Sequence, residues 1–307
     1  MMNLSKTIFF IFLLNSFLKA GSPDIINLFL LSDVIVDKTF KTQPGKTLIF
    51  EGAGGDVRIY TTDKPEVRIK IYGDQEALER LDLLYSEIHD GIKIKVKNIK
   101  SFWSLFSKSV YVDYDLIIPK NYNLDIYSGG GNVYLKNLSG NVKIKTFGGD
   151  IKIEGVEGEV NITASGGDIL LKKIKGSVKT FTSGGDIRVE DINGDVNCST
   201  TGGDIRIQSK NGNVTAKTTG GDIAVDLSGE NKGIKASTVG GDIKLILDPS
   251  FEGFFYATTI GGDIYNEFDL TNVYERKSSK LQGEVNKKEP RIECKTTGGD
   301  IRIIKRK

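Results

Sequence analysis

Residues 142–169 read VKIKTFGGDIKIEGVEGEVNITASGGDI, and the tetrapeptide Gly-Gly-Asp-Ile occurs twice in this stretch. Its aspartate returns every 18 residues, at Asp150, Asp168, Asp186, Asp204 and Asp222. The series continues at wider intervals with Asp242, Asp263 and Asp300, while Asn132 stands one step upstream and Asp56 is an early outlier. A repeat this short is one supersecondary unit that stacks on copies of itself.

Apolar and polar residues alternate on both sides of each tetrapeptide. Val160 and Ile162 precede Asp168, and Ile169 and Leu171 follow it. Because successive side chains of a strand point to opposite faces, this period of two predicts strands with one buried face. Each unit therefore contains two short strands, such as 150–154 and 159–165, joined by corners where glycine permits unusual backbone angles.

Stacking these units in register predicts an all-β protein, a parallel β-solenoid or β-helix with coils of about 18 residues. The solenoid is expected over residues 126–307, and residues 21–125 form an N-terminal β-rich cap with lead-in strands in the same domain. A cap is needed because a solenoid end exposes unpaired strand edges. Within it, residues 76–84 fit one short helix or a polar-faced strand. The charged end Ile304-Lys305-Arg306-Lys307 is expected to blunt the other end.

The first twenty residues resemble a secretory signal peptide. Lys6 precedes an apolar run at 8–14, and the apolar stretch ends at Ala20. The run is shorter than the roughly 20 residues that a membrane-spanning helix needs. We predict cleavage after Ala20 and export to the periplasm, the cell surface or the medium, with an uncleaved anchor as the alternative.

Composition excludes several function classes. The chain has 42 Lys and Arg against 40 Asp and Glu, so it lacks the cationic excess typical of nucleic-acid binding. One His and two separated Cys leave no Cys/His zinc cluster. Phosphate-binding loops, dinucleotide fingerprints and nucleophile elbows are absent. We therefore expect no catalytic, cofactor-binding or metal site.

The two cysteines occupy the same inward column of the repeat, six residues before an aspartate. Counting tetrapeptides along the chain places Cys198 and Cys294 four coils, or roughly 19 Å, apart. A disulfide requires Cα atoms within about 7 Å. We therefore predict two free, buried thiols.

The repeat resembles a bacterial family of unknown function labelled "putative adhesin". The resemblance rests on the Gly-Gly-Asp-Ile units, on the alternating lead-in at 112–120 that closes with Pro119, and on a last unit (292–300) preceded by a polar insertion at 266–289. It covers residues 40–307 and implies a repeat β-solenoid. A fold resemblance does not by itself assign a function.

The aligned aspartates are the most prominent candidate site. In-register carboxylates repel by about 0.9 kcal/mol per neighbouring pair in water, so other groups must offset them. One interpretation is structural: the side chains cap the corners, and a cationic column two residues along neutralises them. The members of that column are Lys152, Arg188, Arg206, Lys244 and Arg302. The alternative is calcium binding, although the nonapeptide spacing of calcium-binding solenoids is absent.

Three smaller features are further candidates for functional residues. Residues 102–106, which include Trp103, are expected to fold over the open end of the rod, and membrane or partner docking is the alternative. His89 stands at an expected turn. A carbohydrate-active enzyme would need a cluster of acidic and basic groups, and the candidates are Asp186, Asp204, Arg188 and Arg206. Pairing between the aspartate column and the cationic column also explains why these residues occur together.

The uniformity of the repeat favours binding over catalysis, because catalysis requires one coil to differ from its neighbours. We expect an exported, non-enzymatic, adhesin-like envelope protein that binds proteins, glycans or cell wall. The alternative is a lyase-like β-helix enzyme that acts on polysaccharide. We expect no nucleic acid partner and no membrane span after cleavage, and the oligomeric state is left open.

Overall fold

The computed structural model describes residues 33–98 and 112–307. In chain order its elements are β1 (Asp33–Lys41), β2 (Thr47–Gly52), β3 (Val57–Thr62), β4 (Glu66–Gly73), α1 (Gln75–Arg80), β5 (Leu81–Ile88), β6 (Gly91–Asn98), β7 (Val112–Pro119), β8 (Asn123–Ser128), β9 (Val133–Ser139), β10 (Val142–Thr146), β11 (Ile151–Glu157), β12 (Val160–Ala164) and β13 (Ile169–Lys175). They continue with β14 (Val178–Thr182), β15 (Ile187–Asn193), β16 (Val196–Ser199), β17 (Ile205–Lys217), β18 (Ile223–Ser237), β19 (Ile243–Leu247), β20 (Gly253–Thr258), β21 (Ile264–Asn266), β22 (Asn272–Lys277), β23 (Lys280–Val285), β24 (Arg291–Lys295) and β25 (Ile301–Lys305). Within the described ranges, no helix has the length and apolar character to cross a membrane.

The strands form two files, which we name face A and face B. Side by side, face A contains β5, β6, β2, β8, β10, β12, β14, β16, β17, β18, β24, β20, β23 and β22. Face B contains β1, β4, β7, β3, β9, β11, β13, β15, β17, β18, β19, β25 and β21. The long strands β17 and β18 contribute to both. The predicted parallel solenoid is confirmed, and each coil places one strand in each face.

The core lies between the two faces. Equivalent residues pair directly from coil to coil, as Val142 does with Val160 and Ile151 with Ile169. Their inward side chains are almost fully buried, while the residues between them point to solvent. Each buried aliphatic side chain contributes about 1.5–3 kcal/mol, so the files of Ile, Val and Leu hold the coils together.

Face B strands are longer than the sequence pattern predicts. A residue with left-handed backbone interrupts the alternation in β9, β11, β13 and β15, at Asn137, Gly155, Lys173 and Asp191 respectively. The pairing skips this residue on both strands, so the register between coils is unchanged. The next residue therefore turns inward again, and Val156 and Ile174 are fully buried. This extra inward position extends the predicted strand 150–154 to Ile151–Glu157.

The order of coils in space differs from their order in the chain at the C-terminal end. Strands β24 and β25 lie between β18–β19 and β20–β21, so the last coil of the chain is inserted into the stack. The prediction that residues 304–307 blunt this end was therefore wrong. At this end of the stack, the β22–β23 hairpin pairs with β20 and extends face A beyond the β20–β21 coil.

The same insertion changes the spacing of the cysteines. Cys198 pairs with Ala216, Ala216 with Ala236, and Ala236 with Cys294. Three coil steps separate the thiols, about 14 Å at the usual strand spacing, rather than four steps. Both thiols are free and fully buried, as predicted. Burial raises the pKa of Cys198 to about 12 and also raises the pKa of Cys294.

A similar rearrangement occurs at the N-terminal end. The coil formed by β2 and β3 lies between β8–β9 on one side and β6–β7 on the other. Strands that the sequence pattern assigned to a cap therefore also stack as coils. The stretch 76–84 contains both predicted structures, α1 followed by β5. Antiparallel strands β5, β4 and β1 complete this end.

A charged network joins β7 to β3. Arg58 donates to Asp113 and to Asp115, at 3.0 and 2.7 Å. The Tyr72 hydroxyl donates to the other carboxylate oxygen of Asp115 at 2.9 Å. These contacts favour β7 as the neighbour of β3, because no other coil carries an aspartate at the position of Asp115.

Candidate functional site

The aspartates of the repeat form a continuous hydrogen-bonded ladder along the Gly-Gly corner. Each carboxylate accepts the backbone N–H of the equivalent residue in the next coil, as Asp168 Oδ1 does from Asp186 at 2.8 Å. Asn132 takes the same position and accepts from Asp150 at 2.8 Å. In spatial order the ladder runs through Asp113, Asp56, Asn132, Asp150, Asp168, Asp186, Asp204, Asp222, Asp242, Asp300 and Asp263.

This geometry supports the corner-capping interpretation of the ladder. One oxygen of each side chain already serves a backbone donor, and an amide oxygen serves equally well at Asn132. Among the described residues, no group of three or more His, Cys, Asp and Glu side chains is arranged to hold a metal ion.

Two further columns complete the corner. The Thr200 hydroxyl donates to the Gly185 carbonyl of the preceding coil at 2.9 Å, and the equivalent threonines in four later coils do the same. The second glycine of each pair lies against the backbone of the coil before it. A Cβ at Gly167 would stand 2.2 Å from the Gly149 carbonyl oxygen, so a side chain cannot fit.

The predicted cationic column pairs with the ladder only in part. Arg206 binds Asp204 at 3.0 Å and Arg302 lies 3.5 Å from Asp300. Arg188 instead pairs with Glu190, two residues along its own strand, which also binds Lys172 at 2.7 Å. Lys172 and then Arg188 lower the pKa of Glu190.

The proposed enzymatic cluster lies beside a shallow depression on face B. The depression has a volume of about 410 Å³ and lies around Ala224, one of three uncharged residues, with Leu170 and Tyr265, that interrupt the cationic column. Arg188, Arg206 and Lys244 line it. Asp186 and Asp204 each accept a backbone N–H, and Arg206 is bound to Asp204. The four residues of the cluster are thus near one another, and each already has a structural partner.

Of the remaining candidates, His89 lies in the part of the chain that the structure describes. His89 is exposed beside the β5–β6 turn, where its backbone carbonyl accepts from Lys46 at 3.0 Å. Trp103 and residues 102–106 lie outside the described residues, as do residues 1–20. The predictions made for these two segments remain predictions.

Face A carries a surface that the sequence analysis missed, which we name the lysine patch. It comprises the outward residues of β10, β12, β14 and β16 and of the second halves of β17 and β18. These are Lys143, Lys145, Asn161, Thr163, Lys179, Phe181, Asn197, Ser199, Thr215, Lys217, Lys235 and Ser237. Five of these residues are lysines and none is acidic. The residues stand in two columns of the repeat, two residues apart on each strand, and the paired strands place these columns side by side from coil to coil.

The lysines of the patch differ in their partners. Lys143 pairs with Asp125 at 3.1 Å and Lys235 with Glu293 at 3.5 Å, at the two ends of the patch. Lys145, Lys179 and Lys217 have no ion pair with any residue that the structure describes. Two acids, Glu159 and Asp195, stand at the rim where strands begin, and Asp195 accepts the backbone N–H of Asn213.

Comparison with known proteins identifies the family. The family model described as Toastrack DUF4097 matches residues 46–304. The chain belongs to this family. The resemblance inferred from the tetrapeptide repeat is thereby confirmed, and the match includes the strands at 47–119 as well as the regular coils.

Three solved structures are similar to this chain at low sequence identity. A "putative adhesin" from Bacteroides fragilis is 13% identical, with 88% of this chain and 96% of that chain covered and a TM-score of 0.43. A "putative lipid binding protein" from Parabacteroides distasonis is 15% identical, with 91% and 98% covered and a TM-score of 0.47. A "putative cell adhesion protein" from Clostridium sporogenes is 12% identical, with 88% and 99% covered and a TM-score of 0.24. No curated protein matches the sequence.

Proposed function

We propose that this protein is an exported, non-enzymatic, adhesin-like component of the cell envelope that binds protein, glycan or cell wall through its repetitive β surface. The main supporting observation is that the polar groups of the corner already have structural partners. The ladder carboxylates and threonine hydroxyls form hydrogen bonds with neighbouring coils. The side chains left for partners are those of the two broad faces. Such faces suit extended binding, because equivalent outward residues recur at every coil.

The binding proposal is tested with isolated envelope fractions and a glycan array. The labelled protein should bind at least one wall or glycan fraction saturably, and unlabelled protein should compete. Heat-unfolded protein serves as the control for nonspecific adhesion. Failure to bind any fraction saturably would contradict the proposal.

Export is the second part of the proposal and rests on residues 1–20. Protein recovered from the envelope or the medium should begin at Gly21, which N-terminal peptide sequencing detects. Recovery of the chain in the membrane fraction with Met1 or Met2 at its start would instead support the uncleaved anchor.

A carbohydrate-active enzyme is the second candidate, and the depression beside Arg188 and Arg206 is the observation that favours it. Such an enzyme requires two groups that can accept and donate a proton. Asp204 instead accepts hydrogen bonds from the Arg206 guanidinium and from the Asp222 backbone N–H. Release of unsaturated uronate from a polysaccharide, abolished by Arg206→Ala, would favour the enzyme over the binding protein.

A further inference from the structure

The lysine patch is a flat, positively charged surface whose composition indicates a particular partner. Its three lysines without ion pairs recur at two-coil intervals: Lys145 on β10, Lys179 on β14 and Lys217 on β17. Two coils correspond to about 9.6 Å at the usual strand spacing. Lys145 and Lys217 stand in one column of the face and Lys179 in the other. A linear polymer laid along the solenoid axis would therefore meet a lysine without an ion pair every two coils, alternately in the two columns.

The residues between these lysines are suited to hydrogen bonding. Asn161 and Asn197 offer amide donors and acceptors, while Thr163, Ser199 and Thr215 offer hydroxyls. Phe181 is the one aromatic residue of the patch, and 41% of it is exposed. This combination fits a sugar chain: amides and hydroxyls bond to sugar hydroxyls, and an aromatic ring packs against the apolar face of a sugar ring.

The same composition disfavours two other kinds of partner. Stable insertion into a lipid surface needs a large apolar area on the binding face, and the patch offers a single Phe. Protein interfaces are depleted in Lys and enriched in aromatic residues and Met at their centre, whereas this patch holds five Lys and a single aromatic residue.

We propose that the lysine patch binds an acidic polysaccharide, a linear polymer of carboxylate-bearing sugars, lying along the solenoid axis. This inference rests on the proposed function and specifies its ligand class. Face A supplies the attraction, because its five outward lysines create a positive potential and three of them have no ion pair among the described residues. Face B does not, because its cationic column stands beside the aspartate ladder.

The test measures binding of fluorescent polygalacturonate to the purified protein by anisotropy, at low and at physiological ionic strength. The double variant Lys179→Ser with Lys217→Ser should weaken binding by about tenfold, two charge contacts being lost. The control variant Lys152→Ser with Lys244→Ser removes the same charge from exposed positions of face B, and it should change binding less than about twofold. Affinity should fall as salt rises. Circular dichroism checks that both variants remain folded.

Several outcomes would overturn the inference. Equal weakening by both variants would show that only net charge matters. Equal affinity for neutral dextran would remove the role of the carboxylates, while tighter binding to phosphatidylglycerol vesicles or duplex DNA would identify a different anionic partner. If polygalacturonate does not bind but saturable binding to envelope fractions persists in both variants, this inference fails and the proposed function stands.

Discussion

Two glycines that stand next to each other in the tetrapeptide have different physical roles. At Gly167, φ is +86° and a Cβ would approach the Gly149 carbonyl oxygen to 2.2 Å. At Gly166, a Cβ would have no heavy atom within 4 Å. The second glycine is therefore required by close backbone contact between coils, and the first is not.

This difference predicts opposite outcomes for two neighbouring substitutions. Gly167→Ala should lower the free energy of unfolding by at least about 3 kcal/mol, since both the backbone angle and the contact are unfavourable. Gly166→Ala should change it by less than about 1 kcal/mol. Urea titration of the two variants measures both values. Similar losses at the two positions would contradict the close approach of coil backbones at the corner.

The ladder aspartates act as hydrogen-bond acceptors, and Asn132 shows that the acceptor need not be charged. Asp168→Asn should therefore leave the free energy of unfolding within about 0.5 kcal/mol of the parent protein. Asp168→Ala should cost about 1–3 kcal/mol, because the Asp186 N–H loses its acceptor. Urea denaturation with and without calcium separates the two interpretations of the ladder. A loss in the Asn variant that appears only with calcium would favour metal binding.

At the scale of elements, the coil formed by β24 and β25 determines how the C-terminal part of the stack is held together. Strand β25 has a parallel neighbour on each side, and Arg306 just beyond it binds Asp226 at 2.5 Å and Asp248 at 2.8 Å. The segment 253–285 thus reaches the rest of the solenoid mainly through β24 and β25. The C-terminal coil joins two parts of the stack.

Deletion of residues 291–307 tests this arrangement. The shortened protein should lose protection of 253–285 against protease, while the coils up to Leu247 stay protected, because those coils also pair with one another. Peptide mapping after limited proteolysis gives the cleavage sites, and Arg302→Ala provides a control in which β25 remains. Continued protection of 253–285 in the deletion variant would mean that this segment docks without the last coil.

At the scale of the whole molecule, ion pairs within and between coils tie its stability to pH. Lysines on adjacent strands lower the pKa of Glu51 and of Glu190, and Lys295 lowers the pKa of Glu293. A carboxylate whose pKa is lower in the folded state stabilises the fold above its unfolded pKa, near 4.5. That stabilisation is lost as the pH falls through the folded value.

The melting temperature should therefore be steady near neutral pH and fall below about pH 4.5. Each pair is partly exposed and contributes less than about 1 kcal/mol, so the effect is the sum over many pairs. Differential scanning calorimetry across the acid range measures it, and Glu190→Gln should flatten the profile slightly. A melting temperature that rises on acidification would show that repulsion among ladder carboxylates outweighs the ion pairs.

The period, the two strands of each coil, the inward files and the corner residues all followed from the amino-acid pattern. These features are local: a period of two selects which side chains face inward, and a recurring glycine marks where backbones approach. The alignment of the Asp residues and of the Thr residues from coil to coil followed from the same repeat. The burial of Val156 and Ile174 was not predicted. One residue with left-handed backbone precedes each of them and shifts the alternation, and the composition of the strand does not reveal this shift.

Long-range pairing fixed the rest: which coils are neighbours at the two ends, and therefore which outward residues of different coils lie side by side. The inward columns of different coils are nearly identical, so pairing in register is almost equally favourable between many pairs of coils. Particular polar contacts make the choice, such as Arg58 with Asp113 and Asp115 at one end and Arg306 with Asp226 at the other. Those contacts join residues distant in the chain, and a repeat pattern holds no information about them.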